Sequence, residues 1–196
     1  MIKSISIQNR ILCGMFAALI AVGAFIRIPV PVVPFTLQFF FTTLAGMLLG
    51  PRLGMASVLV YLALGLAGLP IFAQGGGPGY VLVPSFGYLI GFAAGAFLTG
   101  KLAERSGPSF LRLLRAGLAG LAVVYSIGML YYYLICEFVL GTPIAFWPLV
   151  LYCFLLAVPG DLVLCILCAI LGKRMLVALR RNSPPPGRYL ERRKNT

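Results

Sequence analysis

Polar residues punctuate this chain only sparsely, and between them lie six apolar runs, at about 11–28, 35–50, 54–70, 86–100, 113–136 and 148–172. Each run is continuous and does not alternate with period two. About 20 apolar residues rising 1.5 Å each cross the hydrocarbon of a bilayer, so these runs predict membrane-spanning helices. The absence of alternation excludes a transmembrane β-barrel. The second and fourth runs are short for a full crossing, so tilt or buried loop backbone is expected there. The predicted fold is an all-α integral membrane protein, a bundle of six transmembrane helices over residues 1–175, followed at 176–196 by a basic, disordered cytoplasmic tail.

Composition agrees with the pattern. Of 196 residues, 61% are hydrophobic and 10% charged, too little polar surface to keep a soluble domain of this size dissolved. A net charge of +12 would suggest nucleic acid in another setting. Here the basic residues fall at the ends of the apolar runs and in the tail, where the positive-inside rule accounts for them. A cytoplasmic N-terminus puts Lys3, Arg10, Arg52, Lys101, Arg105, Arg112, Arg115, Lys173 and Arg174 on the inner side and leaves Arg27 near the outer face. Both termini are then cytoplasmic. A cleaved signal peptide at 1–28 would invert that charge logic, and the first run is longer than a signal-peptide core.

Three features that elsewhere mean chemistry have plainer explanations. Cys165 and Cys168 form a C-x-x-C pair, but they lie in an apolar run of a chain without histidine, so packing is expected and no metal or other cofactor is. The stretch GAFLTGKL imitates a phosphate loop, yet Leu102 stands where the magnesium-binding hydroxyl belongs. No paired carboxylates, activated nucleophile or histidine base suggest an enzyme.

Other segments carry shape. Gly14, Ala17, Ala18, Ala21 and Ala24 give the first helix small residues that admit a neighbouring backbone, from this bundle or from a partner. Pro29, Pro31 and Pro34 forbid helix and predict a stiff outer loop that leads to Phe35, Thr36, Gln38 and Phe39. Residues 64–92 hold 8 of the 23 glycines, interleaved with Phe72, Tyr80, Phe86 and Tyr88, and no charge from Gly65 to Phe92. That composition suits a lid over an apolar body. Gly87, Gly91 and Gly95 form one flat helical face, and Tyr125 and Tyr131 to Tyr133 read as an interfacial belt.

Pro159, Gly160 and Asp161 interrupt the last run. Counted from Pro148 at 1.5 Å per residue, Asp161 would lie about 20 Å along the helix, near mid-membrane if the helix is upright and shallower if Pro159 bends it. A carboxylate there costs roughly 2.5–3.5 kcal/mol and should serve something. Pairing with Arg27, proton relay and hydrogen bonding to a solute are the three candidate uses, and a lone carboxylate beside a helix break suits the third best.

VPFTLQ at 33–38, LVYLALGLAGLPIFAQGGG at 59–77, FGYLIGF at 86–92 and PGD at 159–161 together resemble the biotin-specific substrate-binding subunits (S components, the BioY family) of energy-coupling factor transporters. The resemblance covers about residues 10–175. It implies a multi-pass plasma-membrane protein that captures biotin from the outer side, with a site roofed by the first and third outer loops. A transmembrane coupling protein and two cytoplasmic ATPases would be its partners, with Ala17 and Ala21 as the A-x-x-x-A docking pair.

On this reading Asp161 accepts a ureido hydrogen bond, Gln74, Ser85, Tyr88 and Thr36 give further polar contacts, and Phe35, Tyr80 and Phe86 form apolar walls. Two departures stand out. Leu164 occupies a position where the family often has lysine, and VPSFGY at 83–88 replaces the frequent GPTGGY. A related vitamin such as lipoate, or a scaffold that only binds other helices, are the alternative readings.

Overall fold

The computed structural model of the chain describes residues 7–28, 35–104, 109–142, 144–155 and 157–182. Lys3, Arg105, the three prolines of the outer loop and tail residues 183–196 lie outside the described residues. Helix α1 (Ile7–Phe25) leads into β1 (Arg27–Ile28), which pairs antiparallel with β2 (Phe35–Thr36), Arg27 opposite Thr36. Then follow α2 (Gln38–Leu66), a 3-10 turn (Pro78–Leu82), α3 (Phe86–Glu104), α4 (Phe110–Phe138), the short α5 (Phe146–Val150), a π turn (Leu151–Leu155) and α6 (Val158–Asn182). Five of these helices, α1, α2, α3, α4 and α6, are long and apolar enough to cross a membrane.

Helix α2 is folded on itself. Gly50 has φ 81° and ψ 178°, and Pro51 follows it. Proline is tolerated at the start of a helical segment because its missing N–H would have no partner there. The two arms run back alongside each other: the Gln38 side chain donates to the Tyr61 hydroxyl, 23 positions away, and a Cβ on Gly54 would stand 2.7 Å from the Gly46 Cα. These arms are the second and third apolar runs, joined by a tight turn at residues 50–54.

Three predicted boundaries change. The fourth run extends to Glu104, giving α3 19 residues, so it is not short. The sixth run is not one helix from residue 148, because α5 and the π turn precede a fresh start at Val158. Pro159 therefore sits in an opening turn, where it breaks nothing, and Asp161 lies in the first turn of α6 rather than deep along a helix. Helix α6 also continues past residue 175 to Asn182.

α3 packs between α2 and α4, and glycine makes both contacts close. A Cβ on Gly91 would lie 2.9 Å from the Val124 carbonyl oxygen, one on Gly95 2.8 Å from Val124 Cγ2, and one on Gly100 2.6 Å from the Gly50 carbonyl carbon. The flat glycine face expected on this helix thus meets α4. Gly95, Gly100 and Lys101 of the imitation phosphate loop belong to this helix, with Lys101 exposed. Cys165 and Cys168 are fully buried, and Cys168 Sγ donates to the Phe40 carbonyl at 3.4 Å.

Gly91→Leu should push α3 off α4 and destabilise the fold by about 1–3 kcal/mol or more. Gly14→Leu, where a Cβ has no neighbour within 4 Å, should leave thermal unfolding in detergent unchanged. Equal melting temperatures for the two variants would refute this account of the packing.

Candidate functional site

The end of the bundle that carries Arg27 contains a cavity of about 60 Å³. Phe35 and Thr36 of β2, Gln38 and Phe39 at the start of α2, and Tyr88, Leu89 and Phe92 of α3 form much of its wall. Ala73, Tyr80 and Ser85 come from the segment between α2 and α3, Val124 and Tyr125 from α4, and Ala157 and Asp161 from the start of α6.

Asp161 is the acidic group of this lining and is 8% exposed. The Tyr125 hydroxyl donates to its Oδ2 at 2.6 Å. The first turn of a helix also favours a carboxylate through its unpaired N–H groups and its dipole. Gly160 has a steric function beside it, since a Cβ there would stand 2.6 Å from Phe35 Cε2. The Phe35 ring therefore lies directly on the α6 backbone, which brings β2 to the carboxylate.

A second polar group faces the first. The Thr36 hydroxyl donates to Gln38 Oε1 at 3.2 Å, Gln38 Nε2 donates to the Tyr61 hydroxyl, and that hydroxyl donates to the Ile71 carbonyl at 3.1 Å. The chain of bonds locks β2, the two arms of α2 and the loop after them into one frame. Ring contacts then run from Tyr61 to Phe72, Tyr80, Phe86 and Tyr131, with successive centroids 5.3, 4.6, 6.3 and 6.0 Å apart, edge-on except for the tilted Phe72–Tyr80 pair. Burial pushes the Tyr80 phenol above its ordinary pKa, against smaller opposing effects of hydrogen bonds with Ser85 and the Gln74 backbone and of the Arg27 charge.

The glycines of this loop shape the loop itself. Gly75 and Gly77 have φ of 124° and 98°, which side chains rarely adopt, while Phe72 is buried against Gly65. None of Gly75, Gly76, Gly77 and Gly79 lines the cavity; Ala73, Tyr80 and Ser85 do.

Of the residues singled out from sequence, Asp161, Thr36, Ser85, Tyr88, Phe35 and Tyr80 come together in the lining. Gln74 does not, since its side chain is exposed and only its backbone reaches Tyr80. Phe86 is buried behind Tyr80, not at the wall. Ala17 is 4% exposed within the core and Ala21 is half-buried, so their face serves the bundle's own packing. Leu164 is likewise a core residue. Tyr125 is the residue the sequence did not offer: it reads as an interfacial tyrosine, and Asp161 lies 36 positions away, beyond any local signal.

A multi-pass helical bundle with an aromatic-walled cavity and one buried carboxylate at its end is the build of a solute-binding membrane subunit. The BioY family model matches residues 1–181. A probable biotin transporter BioY of Lysinibacillus sphaericus is 43% identical over 181 residues, 92% of each chain. The biotin transporter BioY of Thermotoga maritima is 48% identical over 123 residues, 62% of this chain and 72% of its own. The crystal structure of an S-component for biotin from an ECF-type ABC transporter superposes with a TM-score of 0.73 at 29% identity, covering 90% of this chain and 93% of the other. The chain belongs to the BioY family.

Tyr125→Phe should remove the donor to Asp161 and destabilise the protein by about 1–3 kcal/mol, the effect of leaving a buried acceptor unmatched. Tyr133→Phe, at an exposed position, serves as the control in the same thermal unfolding experiment. No difference between them would mean that the bond does not hold α4 to α6.

Proposed function

We propose that this chain is the S component of an energy-coupling factor transporter and captures biotin in the cavity floored by Asp161 and Tyr125. The observation that carries the reading is a buried carboxylate, fixed by one tyrosine hydroxyl, in the cavity of a BioY-family protein. A ureido ring offers N–H donors, and a carboxylate accepts such bonds strongly in a site poor in water. Tyr125 occupies one oxygen and keeps the group oriented, while lone pairs remain for the ligand. Phe35, Phe39, Tyr80 and Phe92 cover the apolar remainder.

A space of about 60 Å³ is far below the roughly 300–1,000 Å³ of ordinary small-molecule sites. Entry therefore requires the loop carrying Ala73, Tyr80 and Ser85 to move outward. The bonds that such a movement would have to break include those from the Tyr131 hydroxyl to the Val81 carbonyl and from Arg27 to the Ala73 carbonyl.

The distribution of charge supports the orientation. Arg52, Lys101, Arg112, Arg115, Lys173 and Arg174 gather at the end of the bundle away from the cavity, which the positive-inside rule places in the cytoplasm. The cavity then opens outward in the plasma membrane, and both termini are cytoplasmic. Energy comes from a transmembrane coupling protein and two cytoplasmic ATPases. The docking face on α1 is the exposed one, where Gly14 and Ala18 lie one turn apart between Ile11, Met15 and Val22, in place of the buried Ala17.

Calorimetric titration of the detergent-purified protein should give one-to-one biotin binding, with lipoate, which lacks ureido N–H groups, much weaker. Asp161→Ala should weaken biotin roughly 10- to 100-fold, as expected for a hydrogen bond to a charged group. No heat with biotin at micromolar concentrations would overturn the ligand assignment. Gly14→Leu with Ala18→Leu should spare binding and impair uptake in cells that supply the partners; unimpaired uptake would move the docking face elsewhere.

A further inference from the structure

Arg27 is exposed, yet it adjoins three walls of the cavity. Its backbone pairs with Thr36, its Nη1 donates to the Ala73 carbonyl, and its charge reaches the Tyr80 hydroxyl. Thr36, Ala73 and Tyr80 all line the cavity. The other basic side chains described lie at the opposite end of the bundle or along the last part of α6, and the stretch from Gly65 to Phe92 that roofs the site carries no charge. Among the described residues, no acidic side chain is paired with Arg27. Among the described residues Arg27 is thus the one cation beside the cavity, while Asp161 is the one acidic side chain of its lining.

We propose that Arg27 is the counterion that recognises the carboxylate of the captured ligand and fixes the direction in which that ligand lies. The inference rests on the biotin reading above: such a ligand carries N–H donors at one end and a carboxylate at the other. With the ring's N–H groups on Asp161, the acid tail reaches the rim formed by Thr36, Ala73 and Tyr80, where Arg27 stands. The reversed pose would set the ligand's carboxylate against the buried Asp161 side chain and take the ring's N–H groups away from that acceptor. A guanidinium has five N–H groups, and the bond to Ala73 uses one. A planar fork of two further donors matches a carboxylate. Ligand binding and the hold on the loop at Ala73 therefore converge on one side chain, so a bound acid also fastens the roof of its own site.

The test compares biotin with biotin methyl ester on the full chain, by calorimetry in detergent. The wild type should bind biotin about 10-fold more tightly than the ester, the scale of one charge-assisted contact, and the ratio should shrink as salt is raised. Arg27→Gln keeps a donor for Ala73 but loses the charge; it should weaken biotin to the level of the ester and leave the ester within about twofold, which also shows that the loop is intact. Arg27→Lys should keep part of the preference. Equal weakening of both ligands would make Arg27 a loop fastener only, and a preference that survives Arg27→Gln would place the carboxylate elsewhere; either result overturns the proposal. A wild type that binds neither ligand would instead overturn the biotin reading.

Discussion

Close approach of backbones along α3 is the constraint on which the rest of this molecule depends. Between helices in lipid there is no hydrophobic push, so association rests on van der Waals contact and on hydrogen bonds that helices can make only when near. Gly91, Gly95 and Gly100 let α4 and the turn of α2 touch the α3 backbone directly. Residues on the other helices answer them: Gly128 accepts the Tyr88 ring, and Gly46 lies against the Ala96 backbone. With α3 fixed between its two neighbours, Tyr88 and Tyr125 meet at 5.8 Å between centroids, and Tyr125 is aimed at α6.

The cavity forms where this tight packing gives way to aromatic side chains. Rings are too large to let backbones meet, so they hold the helix ends and loops apart and leave room among themselves. Polar groups in that space must find partners, because an unmatched one is costly where the dielectric is low. Thr36, Gln38 and Tyr61 satisfy one another across three segments, and Tyr125 satisfies Asp161. Among the described residues, no buried side-chain nitrogen or oxygen lacks a hydrogen-bond partner. A ligand that enters must therefore offer bonds at least as good as those it displaces, and this is how a small polar network yields specificity.

Much of the site was legible because its signals are local. Pro159, Gly160 and Asp161 announce a break and a charge within an apolar run, and Thr36 and Tyr80 follow proline- or glycine-rich segments that interrupt the long apolar helices. Depth and direction are not local. A count from Pro148 holds only for one unbroken helix, whereas the chain interrupts itself at the π turn and restarts at Val158, which moves Asp161 into a first turn. Gln74 and Phe86 lie in the right segment but turn away from the cavity, as Gly75 and Gly77 reverse the chain beside one and the core takes the other.

The order of apolar runs, the placement of cations at their ends and the family motifs fix the membrane character of the chain, its helical fold and its class, because each follows from composition within a short window. Which face of α1 is buried, how α2 doubles back at Gly50, and which hydroxyl holds Asp161 depend on contacts between residues far apart in sequence. Ala17 and Ala18 are neighbours of the same type, yet one is in the core and the other exposed. Only the packed neighbours distinguish them, since a stripe of small residues has the same pattern whether its partner is this bundle or another protein.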